Sequence, residues 1–73
     1  MDQELMSYSE LVKSKVPGCV CEPYPAAPDQ QIMATKHFEK TKHTLILQRG
    51  QSPQAVTQHV DEWIAHLERV QIH

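Results

Sequence analysis

Cysteine and glycine are scarce in this chain of 73 residues, and no long apolar run occurs. Each scarcity excludes something. Two cysteines, Cys19 and Cys21, are too few and too close together to staple a fold, so a disulfide-built scaffold is ruled out. Two glycines, Gly18 and Gly50, leave no material for a phosphate-cradling loop. No stretch approaches the roughly 18 apolar residues of a membrane span, and the opening Met1-Asp2-Gln3-Glu4 is acidic where a secretory leader would be basic. The expectation from these features is a cytoplasmic protein with no membrane partner. There is also no Gly-x-Ser-x-Gly elbow and no recognisable pairing of nucleophile with base, so a non-enzymatic protein without a cofactor is expected.

Hydrophobic residues at 40% and charged residues at 22% are ordinary globular values, and the length allows a single domain over residues 1–73. A domain of this size buries only roughly 60% of the surface its unfolded chain exposes. Association with a partner, or with a second copy, is therefore a natural way to add stability.

The strongest element signal is the last. Ser52 followed by Pro53 gives an N-cap and a proline at the first helical position. Val56, Val60, Trp63, Ile64, Leu67 and Val70 then form one apolar stripe at helical spacing, which predicts a helix over 53–70. Near the start, Ser7 and Glu10 have capping-box spacing, with Met6 and Leu11 placed to form a hydrophobic staple. That pattern predicts a helix from Tyr8 to Lys15, stopped by Val16-Pro17-Gly18, with residues 1–6 loose ahead of it.

Between the helices the period changes. Thr44–Gln48, with Leu45-Ile46-Leu47 at its centre, reads as a strand, and Ile32–Phe38 reads as its hairpin neighbour through Glu39–Lys42. A short strand is expected at Cys19–Glu22, followed by a proline-rich loop over 23–29. The predicted fold is a small α+β domain of order α-β-β-β-α, two helices packed on one face of a three-stranded antiparallel sheet. This order resembles that of double-stranded RNA-binding domains. The resemblance is one of topology, because the lysine-rich start of their second helix corresponds here to Ser52–Gln58, which carries no positive charge.

Four groups of residues invite a function. The stretch from Lys36 to Arg49 holds Lys36, Lys40, Lys42 and Arg49 against the single acid Glu39, with Phe38 among them, although the whole chain has net charge −2. Cations around an aromatic suit an RNA backbone and a stacked base, which makes nucleic-acid binding through this hairpin the alternative reading. Lysine at a hairpin tip also serves simply to keep sheet edges apart. Cys19 and Cys21 flank one residue, so in a strand their thiols fall on one face about 6–7 Å apart. With His37 and His43 they are the weak candidates for a metal, against a plain reading as small apolar residues, and no metal is assigned. His59 and His66 lie two turns apart on the last helix without the spacing of helical zinc pairs. Tyr24, held between Pro23 and Pro25 in a stiff segment, is a candidate contact for a protein partner. The leading expectation is a protein-interaction or regulatory module that works on an unidentified protein or by self-association, through an open sheet edge.

Overall fold

The computed structural model describes residues 2–72, and side chains as far as Gln71. The chain runs α1 (Gln3–Lys15), β1 (Val20–Pro23), β2 (Gln31–His37), β3 (Lys42–Gln48) and α2 (Pro53–Ile72). The strands form one antiparallel sheet in the order β1-β2-β3. The α-β-β-β-α order expected from the sequence is the observed one.

α1 begins five residues earlier than the capping-box pattern predicts. Asp2 is the N-cap, its carboxylate accepting the Leu5 N–H at 2.9 Å. Ser7 lies inside the helix and donates its hydroxyl to the Gln3 carbonyl, while Met6 is largely exposed and staples nothing. The segment expected to be loose is thus, from Asp2 onward, a capped first turn. The physical reason is Leu5, fully buried, which extends the apolar face of Tyr8, Val12 and Val16 one turn further back. Val16 closes the helix by returning its N–H to Val12, and Pro17 prevents continuation. Gly18 follows at φ +87, a left-handed conformation that a side chain would strain.

β1 takes in Pro23, which the sequence reading placed in the loop. Proline is tolerated there because β1 is an edge strand. The loop itself is tied by successive turns: Ala27 and Gln30 donate backbone N–H groups to Tyr24 and Ala27, both at 3.0 Å. At the other end of β2, Phe38 and Thr41 exchange both backbone hydrogen bonds, leaving Glu39-Lys40 as a two-residue loop. No residue other than glycine has positive φ among those described, so this turn is not of the primed types that most tight hairpins use.

The register sets which side chains face inward. Ile32 lies opposite Leu47, Ala34 opposite Leu45, and Cys21 opposite Ala34. These point to the helices and join Leu5, Val12, Val56, Val60, Trp63 and Leu67 in one core. α2 follows its sequence pattern closely. Ser52 caps it through the Ala55 N–H at 3.1 Å, and the stripe residues Val56, Val60, Trp63 and Leu67 are all buried.

Because alternate residues of β3 face opposite ways, neighbouring truncations should differ sharply. Leu47→Ala, at a site with no exposure, should cost about 2–5 kcal/mol in urea unfolding, whereas Ile46→Ala, 40% exposed, should cost under about 1. Equal losses would contradict the register.

Candidate functional site

The residues of the proposed basic hairpin are close in sequence but are not brought together. β2 and β3 run seven residues each away from the Glu39-Lys40 loop, so Arg49 lies at the far end of the sheet from Lys40. Lys36 falls on the helix side of the sheet, where its ammonium donates to the Pro17 carbonyl at 3.0 Å. Phe38 is partly buried against the core and sits edge-on to the His43 ring, with centroids 5.6 Å apart. Lys40 and Lys42 alone of the set stand exposed at the hairpin.

Arg49 belongs instead to a polar clasp. Its guanidinium lies 2.7 Å from Asp2 and 3.7 Å from Glu4, and it also donates to the Asp29 carbonyl at 3.3 Å. Glu4 accepts the Tyr8 hydroxyl at 2.6 Å and the Gly50 N–H at 2.7 Å. The start of α1, the 24–30 loop and the β3–α2 connection are therefore fastened at one corner. The Tyr8 hydroxyl, then the Gly50 N–H, then Arg49 hold the Glu4 carboxyl below its ordinary 4.5. Burial, followed by the Glu4 carboxylate, pushes the Tyr8 phenol above its usual 10.0.

Cys19 is buried and Cys21 half-buried, and both face α1, where the Cys21 thiol lies 3.9 Å from the Ser9 carbonyl. Burial first, and the neighbouring Cys21 second, push the Cys19 thiol up to about 11. A thiol so raised stays protonated at neutral pH, the opposite of what a nucleophile or metal ligand needs. Among the described residues no group of three or more histidine, cysteine or acidic side chains converges as a metal cluster. Tyr24 is half-buried at the entry to its loop, its backbone N–H paired with the Gln31 carbonyl at 3.0 Å.

Two further features matter, of which only the second, the open edge and the helix-free face, was expected from the sequence. The first is a contact between His43 on β3 and His66 on α2, with His43 Nδ1 and His66 Nε2 3.2 Å apart and ring centroids 5.1 Å apart. His43 Nε2 is in turn 3.0 Å from the Thr41 hydroxyl. Sequence reasoning set His43 beside the cysteines and His66 beside His59. The usable signal was alternation along β3, which puts His43 on the inward side with Leu45 and Leu47. The second feature is the bareness of one sheet face and one edge. With both helices on the inner side, Val20 (54% exposed), Met33 and Ile46 lie on the outer side without cover from another described element.

No helix among the described residues is long and apolar enough to cross a membrane. Comparison with protein-family models, with curated proteins and with solved structures finds no match to this chain.

The Glu4 clasp should give the protein a pH-dependent margin. A carboxyl held low in the folded state contributes stability above its ordinary 4.5 that is lost as pH falls through the folded value. In thermal melts from pH 7 down to pH 3, Glu4→Gln should lower the melting temperature at neutral pH and flatten the acid decline. A decline as steep as in the unmodified protein would show that the clasp is not its source.

Proposed function

We propose that this domain is a non-enzymatic interaction module that associates by strand addition at β3, with a second copy of the same chain as its occupant. The observation that carries the reading is the state of the β3 backbone. Phe38 pairs with Thr41 and the Arg49 N–H with the Gln30 carbonyl, so alternation directs the N–H and C=O groups of His43, Leu45 and Leu47 to β2. Those of Lys42, Thr44, Ile46 and Gln48 point to the free edge. The strand has no proline and no charge between Lys42 and Gln48, the devices by which exposed edges are usually protected. The opposite edge, β1, is short and carries Glu22 and Pro23.

The edge fits itself. In an antiparallel pairing with Leu45 on the two-fold axis, Lys42 faces Gln48 of the other copy and Thr44 faces Ile46. Every outward backbone group of the four residues then finds a partner. The only formal charge on the strand, Lys42, is kept from its counterpart by about 20 Å, beyond the screening length of physiological salt. On the outer side each Ile46 gains an aliphatic neighbour in the other copy's Thr44 methyl. α2 is set beside its own copy along the flank of Ala55 and His59, which lies away from α1 because Asp61 on the other flank pairs with Lys15.

A nucleic-acid reading has less beneath it, because the contacts of Lys36, Phe38 and Arg49 within the fold leave two lysines for phosphates, and few contacts mean weak binding.

Sedimentation equilibrium tests the proposal. The expected mass is twice the 8.4 kDa of the chain, returning to 8.4 kDa in Ile46→Lys with an unchanged circular dichroism spectrum. A protein that stays monomeric to millimolar concentration rules out the second copy as occupant.

A further inference from the structure

We infer that His43 and His66 form a two-histidine site for a borderline divalent metal ion of the zinc, nickel or copper kind, which bridges β3 and α2. Both rings belong to one chain, so the inference does not require a second copy, although His66 lies on the same flank of α2 as Ala55 and His59.

Two imidazole nitrogens 3.2 Å apart share one proton, and among the described residues neither has a carbonyl or carboxylate hydrogen-bonded to it there. The same separation is what a metal requires. Two metal–nitrogen bonds of about 2.0–2.1 Å at a tetrahedral angle span about 3.3–3.4 Å, so an ion replaces the shared proton with a shift of a few tenths of an ångström. The proton on the bridging nitrogen moves to the remaining ring nitrogen of His66 through solvent. No electron is transferred, and both rings bind as neutral ligands.

The surroundings fit a ligand better than an incidental contact. His43 Nε2 has the Thr41 hydroxyl at 3.0 Å, an outer partner of the kind that fixes the tautomer of a metal-bound histidine and aims its other nitrogen. Phe38 packs edge-on against the same ring at 5.6 Å. With Thr41 as acceptor, His43 carries its proton on Nε2 and presents the Nδ1 lone pair to His66. Both rings are accessible enough for water to complete the coordination, His66 being exposed and His43 half-buried. Because His43 lies on β3 and His66 on α2, 23 residues apart, the site exists only in the folded chain, and a bound ion stabilises that state by mass action. Thr41 is a positioning residue.

Zinc titration followed by imidazole nitrogen and C–H resonances, together with thermal melts, tests the inference. Saturable shifts of His43 and His66 with one ion per chain are expected, with a rise in melting temperature that is absent in His66→Gln and His43→Gln. Thr41→Val should weaken binding about tenfold while leaving the metal-free melting temperature nearly unchanged. The inference is overturned if zinc produces no shift at these two rings, if the shifts are confined to His37, His59 or the cysteines, or if the double variant binds as tightly as the unmodified chain. The resonance readout on the unmodified protein decides the matter even where a variant fails to fold.

Discussion

The packing of two helices onto one side of a three-stranded sheet is the contact on which the rest of the molecule depends. Ile32, Ala34 and Leu47 supply the sheet's share, and Leu5, Val12, Val56 and Val60 the helices'. Fully burying an aliphatic side chain of this size is worth about 1.5–3 kcal/mol, and such burial has to offset the conformational entropy of ordering the chain. Among the described residues both helices lie on this one side, and neither covers the reverse. The asymmetry of the surface, with one sheet face sheltered and the other without a helix over it, follows from both helices packing on the same side.

The polar interactions serve this core by fixing where its pieces enter. The clasp of Asp2, Glu4, Tyr8, Arg49 and Gly50 joins the start of α1 to the β3–α2 connection, while the Lys15–Asp61 pair ties the end of α1 to the middle of α2 on the solvent side. The latter is exposed and contributes little on its own. The former combines two short hydrogen bonds with a carboxylate held in its charged form, so it acts as a local lock on the start of α1.

Elements governed by local chemistry were legible in the sequence. Ser52-Pro53 and the stripe from Val56 to Leu67 mark α2, and the run Leu45-Ile46-Leu47 marks β3, because cap and pattern agree there. α1 was misplaced at its start because Ser7 and Glu10 reproduce a capping box that the fold does not use. Asp2 earns its role only once Leu5 is known to be buried. Spatial relations were less legible. A cluster of cations from Lys36 to Arg49 is a cluster along the chain, and a hairpin separates its members by folding its ends away from its tip. The His43–His66 contact joins residues from different elements, so its existence depends on how α2 lies across β3, a property no local pattern encodes. Cys19 and Cys21 were correctly placed on one side of their strand segment, and the raised thiol of Cys19 reflects a burial that their spacing alone does not reveal.

Trp63 is the chain's single tryptophan, and it is 6% exposed, with its indole N–H buried and without a hydrogen-bond partner among the described residues. An indole so fully buried emits at shorter wavelength than one in water. The molecule therefore carries an intrinsic optical gauge for the seating of its long helix, readable without labels. Any event that lifts that helix from the sheet, whether acid, denaturant or loss of a bridging ion, would register as a red shift from this one ring.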